Sequence, residues 1–122
     1  AWKGCRPALF QRVVARIHDV NTVNNGGGTA LMIAARNNQL DVVMSLMNHP
    51  RIDLNVQDRR YNRTALDLAV YFNHPAIVSQ LLSDDKIDAS LKDGRNRTAL
   101  KRAIDRGHAE CVTILRQHGA PE

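Results

Sequence analysis

The feature that most constrains this chain is a triplet that recurs at a nearly fixed interval. Thr-Ala-Leu occurs at residues 29–31, 64–66 and 98–100, so that successive copies are 35 and 34 residues apart. An interval of this size is typical of a repeat protein, in which each repeat is one small structural unit. One such unit cannot bury its own apolar side, so we expect neighbouring units to stack around a continuous core.

Each triplet is followed by two short segments with helical character. The first segment ends near Asn38, Asn73 or Gly107, residue types that accept the left-handed backbone at the end of a helix. The second segment has apolar residues at helical spacing. These residues are Val42, Val43, Leu46 and Met47, then Ile77, Val78, Leu81 and Leu82, then Cys111, Val112 and Leu115. The pattern predicts an all-α fold of repeated helix-turn-helix units.

The apolar pattern of the second segment also occurs once before the first triplet. It follows Pro7, a residue suited to the first position of a helix, and comprises Leu9, Phe10, Val13, Val14 and Ile17. We therefore expect one domain over residues 1–122 that opens with the C-terminal half of an incomplete repeat at residues 7–26. Repeats at 27–61 and 62–95 and a terminal repeat at 96–122 follow. An apolar content of 43% can supply the core of such a domain.

Two segments between the units alternate in polarity and lead into turn residues. They are residues 52–58 and 87–93, and we expect them to project as hairpin-like fingers.

These motifs resemble the ankyrin-repeat family over residues 7–122. Residues 27–35, 64–69, 107–112 and 118–120 match its repeat best, and residues 19–21 match the end of the preceding half unit. The resemblance implies an ankyrin-repeat solenoid of stacked helix-turn-helix units with β-hairpin-like fingers. It also implies a non-enzymatic scaffold for protein binding.

The sequence departs from the family pattern at three kinds of position. Alanine replaces its proline at Ala30, Ala65 and Ala99, and its histidine is replaced by Met32, Asp67 and Lys101. The family's Thr–His hydrogen bond is therefore missing. Asn62 and Asn96 stand where the family has a turn glycine, and asparagine is the best replacement where φ must be positive. We expect the turn to survive with slight strain.

Charge and cysteine content indicate the kind of partner and compartment. A formal net charge of +5 and a pI of about 9.8 favour an acidic partner. Cys5 and Cys111 are too few and too far apart for a disulfide framework, which indicates free thiols in the cytoplasm or nucleus. We expect no membrane insertion and no export, because no apolar run is long enough to span a bilayer or serve as a secretion signal. We expect a monomeric domain that can form part of a larger protein.

The resemblance implies that inner helices and finger tips form the recognition surface. The predicted partner-binding residues are Arg36, Arg60, Tyr61, Arg63, Tyr71, Phe72, Arg95, Arg97, Lys101 and Arg106. The inner helices should also present Met32, Asn37, Asp67 and Asp105, and the tips Asn25, Gly26, Gly28 and Gly94. Tyr71 and Phe72 are expected as anchors, since interface hot spots favour aromatic residues. The alternative for Phe72 is burial beneath its own finger.

Positive charge is concentrated on the two fingers. Arg59, Arg60, Arg63, Lys92, Arg95 and Arg97 favour a ligand with carboxylates or phosphates. The alternative is a basic edge that serves only solubility. An acidic protein or peptide is the leading hypothesis for the partner. Nucleic acid or another polyanion, an anionic membrane surface and a purely structural role are the alternatives.

No motif for catalysis, a cofactor or a metal is found in the sequence. The glycines before Thr29 lack the lysine of a phosphate loop. His108 and Cys111 lie one helical turn apart, but Cys111 occupies an apolar stacking position, where a thiol is inert. Other histidines have no spacing that converges on a metal: they are His18, His49, His74 and His118. We expect neither enzymatic activity nor a cofactor.

Overall fold

The computed structural model describes residue 23 and residues 28–121, and within them the fold is helical. The helices are α1 (Ala30–Arg36), α2 (Leu40–Met47), α3 (Ala65–Tyr71), α4 (Pro75–Leu82), α5 (Ala99–Arg106) and α6 (Ala109–Gln117). None of the described residues lies in a β-strand. The predicted all-α class is therefore confirmed for this part of the chain. The predicted half repeat at 7–26 lies outside the described residues except for Val23, as do Cys5, Asn25 and Gly26.

The helices pack as three pairs that contact one another in chain order. Within each pair α1 contacts α2, α3 contacts α4 and α5 contacts α6. Between pairs, the first helices α1, α3 and α5 contact in sequence, and so do the second helices α2, α4 and α6. Each repeat therefore contacts its neighbour through both of its helices, as the interval between triplets predicts.

The core runs between the two rows of helices. Alanines occupy the close contacts of the first helices, where Ala35, Ala69 and Ala103 are fully buried. The second helices contribute the larger apolar side chains predicted from the helical spacing. Those that are fully buried are Val43, Leu46, Ile77, Val78, Leu81, Cys111 and Leu115. Burial of each large apolar side chain stabilises the stack by about 1.5–3 kcal/mol.

The threonine of each triplet begins the first helix of its unit. Thr29, Thr64 and Thr98 have extended backbones, and each side-chain oxygen accepts a hydrogen bond from the backbone N–H three residues later. The donor–acceptor distances are 3.1–3.2 Å. Threonine in this position satisfies an N–H group that the helix leaves without a partner. The recurring triplet is therefore a helix start followed by buried Leu31, Leu66 or Leu100.

The predicted positive-φ positions are confirmed in the structure. Asn38, Asn73 and Gly107 follow the first helices with φ of 58°, 58° and 73°. Asn62 and Asn96 have φ of 54° and 62°, so asparagine takes the place of glycine in these turns.

Side-chain hydrogen bonds tie one unit to the next. His74 Nε2 lies 2.9 Å from the carbonyl oxygen of Arg36, and His108 Nε2 lies 3.3 Å from that of Tyr71. The Asn55 amide donates to the carbonyl of Lys86 at 2.9 Å. These bonds set the register of neighbouring repeats, and through them His74 and His108 contact the backbone of the preceding repeat.

Candidate interaction surface

The predicted finger segments 52–58 and 87–93 lead into two turns, at residues 58–63 and 93–97, which are named the first and second finger from this point on. The first finger is organised by one carboxylate. Asp58 Oδ1 accepts hydrogen bonds from the backbone N–H of Tyr61 at 2.9 Å and of Arg63 at 3.2 Å. The backbone N–H of Asp58 donates to the carbonyl of Arg63 at 2.9 Å and closes the loop. Tyr61 and Arg60 are held exposed at its tip.

The second finger, residues 93–97, repeats this arrangement with a shorter loop. Asp93 Oδ1 accepts from the backbone N–H of Arg95 at 2.8 Å and of Arg97 at 3.0 Å. The other carboxylate oxygen, Oδ2, accepts from the Arg102 guanidinium, and both side chains are only 2% exposed. The backbone N–H of Gly94 donates to the carbonyl of Tyr61 at 2.8 Å. The two fingers are therefore bonded to each other.

An open groove of about 460 Å³ lies between α1, α3 and the first finger. Its apolar part includes Ile33, which is 43% exposed, and Phe72, which is 42% exposed. The lining residues are Gly28, Met32, Ile33, Arg36, Asp58, Arg60, Tyr61, Arg63, Leu68 and Phe72. The alternative prediction that Phe72 is core is wrong, because the side chain follows α3 and faces the groove. The structure thus brings the predicted binding residues Arg60, Tyr61, Arg63 and Phe72 together with Arg36.

The aromatic rings of Tyr71 and Phe72 have different surroundings. Phe72 packs edge-on against Tyr71, with ring centroids 5.0 Å apart. The half-buried Tyr71 ring has the guanidinium carbons of Arg63 and Arg106 at 4.8 Å and 4.3 Å from its centroid. The Arg102 guanidinium lies 5.4 Å from the same centroid. Tyr71 therefore positions cations through cation–π contacts, and Phe72 is the more exposed aromatic residue.

The predicted basic residues divide into paired and unpaired groups. Arg97 Nη1 lies 3.8 Å from Asp105, and Lys101 Nζ lies 3.4 Å from the same carboxylate. Among the described residues, no ion pair involves Arg36, Arg60, Arg95 or Arg106. The unpaired positive charge lies at the groove, at the finger tips and at the end of α5.

Two of the side chains expected on the inner surface are buried instead. Met32 is 2% exposed and Asp67 is 1% exposed. Met32 belongs to the hydrophobic core and lines the floor of the groove. Asp67 turns back and accepts a hydrogen bond from the backbone N–H of Thr64 at 3.1 Å, which completes a capping box. The Thr–His bond of the family is thus replaced in this repeat by a carboxylate that serves the same helix start.

Asp67 and Arg102 form a buried polar region that the sequence pattern did not indicate. Burial raises the pKa of Asp67 to about 6, although the Thr64 hydrogen bonds and the nearby Arg102 charge oppose this shift. Burial also lowers the pKa of Arg102. Arg102 occupies the register position of the buried Leu68 one repeat earlier, and that correspondence was the available signal for its burial.

The thiol and imidazole that were considered for catalysis are occupied by structural contacts. Cys111 is fully buried, its Sγ lies 3.7 Å from Asn73 Oδ1, and burial raises its pKa to about 11. A neutral thiol in this position is a poor nucleophile. The described residues contain no group of three or more His, Cys, Asp or Glu side chains placed to hold a metal. In the same part of the chain, no helix has the length and apolar character needed to cross a membrane.

The family of the chain follows from this architecture and from comparison with known proteins. The family model for ankyrin repeats in three copies matches residues 1–93. The chain belongs to the ankyrin-repeat family. Ankyrin repeats are generally protein–protein interaction modules, and the family is typically non-enzymatic.

Curated relatives share the same region at moderate identity. The SMC5-SMC6 complex localization factor protein 1 of Bos taurus is 35% identical over 115 residues, 94% of this chain and 10% of that protein. Its human counterpart is 32% identical over 108 residues, 88% of this chain and 10% of that protein. The ankyrin repeat and SAM domain-containing protein 6 of Rattus norvegicus is 39% identical over 97 residues, 79% of this chain and 11% of that protein. The chain spans about a tenth of the length of these relatives.

Proposed function

We propose that this chain is a non-enzymatic module that binds an acidic segment of a partner protein along the groove and the two fingers. In this proposal the helix pairs form a single short solenoid, with the loops as its β-hairpin-like fingers. The repeats at 27–61, 62–95 and 96–122 each contribute one inner helix to the binding face. The predicted partner-binding residues lie on these helices and loops.

The observation that carries the proposal is that one groove combines exposed apolar side chains with cations that make no ion pair. Ile33 and Phe72 expose apolar surface, and burial of that surface by a partner supplies affinity. Arg36 and Arg60 line the same groove, and neither makes an ion pair in the described part of the chain. A segment with an apolar residue next to Asp or Glu complements this surface.

The relatives support a role in assembly with other proteins. Two of them are named as localization factors of the SMC5-SMC6 complex. We propose that this chain likewise makes a protein contact within a larger protein, as a monomeric unit in the cytoplasm or nucleus.

Selection from a random dodecapeptide library on the immobilised chain tests the proposal. We expect enriched peptides to combine Leu, Ile, Met or Phe with neighbouring Asp or Glu residues. Affinity for a synthetic enriched peptide should fall about tenfold or more in Phe72→Ala, as expected for a central aromatic anchor.

Met44→Ala provides a matched control for this experiment. Met44 is as exposed as Phe72, at 42%, but lies on α2 outside the groove lining. This variant should bind the peptide like the unmodified chain. Equal loss in both variants, or enrichment of basic peptides, would contradict the proposal.

Nucleic acid or another polyanion is the second candidate, favoured by the arginines at the finger tips. Each neutralised phosphate contributes a slope of about −0.9 to the dependence of log affinity on log salt concentration. Carboxylates of Asp58 and Asp105 stand among these arginines and repel an extended polyanion. Tight, steeply salt-dependent binding of a random-sequence duplex, with no peptide enriched, would favour this candidate.

A further inference from the structure

A small cleft between the two fingers adjoins the groove and shares Arg60, Tyr61 and Arg63 with it. It has a volume of about 180 Å³. Its walls are built by Arg60, Tyr61 and Arg63 of the first finger, Asp93, Gly94, Arg95 and Arg97 of the second, and Arg102 of α5. Pockets for whole small molecules measure roughly 300–1,000 Å³. The cleft therefore suits one ionic group of a larger ligand.

The walls of the cleft are held in place before any ligand arrives. Gly94 donates its N–H to the Tyr61 carbonyl, and a Cβ at Gly94 would lie 3.3 Å from that oxygen. The fingers therefore approach more closely at Gly94 than most side-chain-bearing residues would allow. Asp58 and Asp93 fix the backbone of the finger arginines through the hydrogen bonds described above. A preorganised cleft loses little conformational entropy on binding.

Donors outnumber acceptors among the side chains that line the cleft. Five guanidinium groups face one carboxylate, that of Asp93. Both of its oxygens already accept hydrogen bonds, from two backbone N–H groups and from Arg102. The buried Nε atoms of Arg63 and Arg102 have no hydrogen-bond partner, and that of Arg97 makes only an ion-pair contact of 3.5 Å with Asp93 Oδ2. An anion with several acceptor oxygens would correct this imbalance.

We propose that the cleft binds a phosphate monoester carried by a phosphorylated side chain of the acidic partner segment. This inference rests on the proposed function and adds the chemical class of one subsite. A phosphate monoester is close to a dianion at neutral pH and offers three acceptor oxygens. Arg60 and Arg95 stand on opposite walls and can each present a guanidinium fork to it. A carboxylate carries half that charge and cannot engage both forks as fully.

NMR titrations of the isotope-labelled chain test the subsite. They use three small probes at neutral pH and constant ionic strength. Inorganic phosphate should shift the amide signals of Gly94 and Arg95 to saturation. Acetate and dimethyl phosphate, which represent a carboxylate and the diester of nucleic acids, should bind at least about tenfold more weakly. Equal binding of either of these two probes would overturn the inference.

Charge-matched variants locate the binding within the cleft. Arg60→Gln with Arg95→Gln removes two cleft cations that make no ion pair in the described residues, and phosphate affinity should fall about tenfold. Arg59→Gln with Lys92→Gln removes the same charge from exposed positions outside the cleft lining and should leave affinity within about twofold. An equal loss in both variants would mean that only the general positive field attracts phosphate, which overturns the inference.

A phosphoserine scan of an enriched peptide separates the subsite from the groove. At one or more positions, phosphorylation should raise affinity about tenfold, and Arg60→Gln with Arg95→Gln should abolish the increase. If no position responds while Phe72→Ala still weakens the peptide, the subsite is wrong and the proposed function stands. If phosphate binds the cleft but no peptide depends on Phe72, the groove proposal fails instead.

Discussion

The two fingers have the same local design but different connections to the core. In each finger, an aspartate accepts hydrogen bonds from two backbone N–H groups, and an asparagine adopts positive φ. Asp58 is half-buried and makes no ion pair in the described part of the chain, whereas Asp93 is buried and bonds the buried Arg102. The first finger is also one residue longer between its aspartate and the following threonine.

This difference shows that one loop motif can serve two purposes in neighbouring repeats. In the first finger the aspartate organises only the loop, whose Tyr61 carbonyl accepts a hydrogen bond from Gly94. In the second finger the corresponding carboxylate, that of Asp93, also neutralises the buried Arg102 cation. Loss of the second aspartate should therefore affect the whole domain, and loss of the first should affect mainly the loop.

The largest effect is expected from Asp93→Ala. This change leaves the Arg102 guanidinium buried without its carboxylate and should lower the free energy of unfolding by about 3–5 kcal/mol. Asp58→Ala removes two hydrogen bonds at a half-buried site and should cost about 1–2 kcal/mol. Urea unfolding followed by circular dichroism measures both values.

A second substitution at Arg102 checks the cause of that loss. Arg102→Leu in the Asp93→Ala background places an apolar residue where Leu68 lies one repeat earlier, and it should restore at least about 1 kcal/mol. If Asp93→Ala costs no more than Asp58→Ala, the two fingers do not differ in the way the contacts indicate.

An intermediate effect is expected from the buried carboxyl that follows the first finger. The pKa of Asp67 is about 6 in the folded chain, above its ordinary value of 3.8. The native state therefore binds this proton more tightly than the unfolded state does. The resulting stability is fully present below pH 3.8 and is lost as pH rises through about 6. Between about pH 7 and 4.5 this group alone should add about 2 kcal/mol of stability.

Asp67→Asn isolates this contribution. The amide oxygen can still accept from the Thr64 N–H, but the side chain no longer titrates. Urea unfolding at several pH values should show that the gain on acidification is smaller in the variant by about 2 kcal/mol. Identical pH profiles of the variant and the unmodified chain would show that the pKa of Asp67 lies near its ordinary value. The helix after the first finger would then add no pH-dependent stability.

The smallest effect is expected at the turn asparagines, where the fingers are alike. Asn62→Ala and Asn96→Ala should each cost about 1 kcal/mol, because alanine accepts positive φ less readily than asparagine. Glycine at either position should stay within about 0.5 kcal/mol of the unmodified chain, since relief of strain offsets the greater entropy of its unfolded state. Thermal unfolding of the four single variants checks this. Clearly unequal costs for the two alanine variants would show that anchoring by Asp93 also strains its turn.

Much of the fold could be predicted because it depends on short-range patterns. The threonines that cap the first helices, the asparagines with positive φ and the apolar side of the second helices all follow from neighbouring residues. The burial of Cys111 followed in the same way from its place in the apolar pattern.

The candidate site was less predictable from the same patterns. Helical periodicity placed Met32 and Asp67 on the inner surface, but packing between α1 and α3 and the capping box bury them. It also left Phe72 open between core and surface. The neutralisation of Arg97 and Lys101 by Asp105 depends on the conformations of long side chains, which periodicity does not describe.

By itself, the sequence determined the repeating unit, its helix starts and ends, and the excess of positive charge on the two fingers. Capping, turn conformation and apolar spacing act within a few residues, so they can be read along the chain. Only the tertiary structure decided which charges are buried, which are paired and which aromatic ring is exposed. Those outcomes depend on contacts between residues in neighbouring repeats, where distance and burial set the strength of each electrostatic interaction.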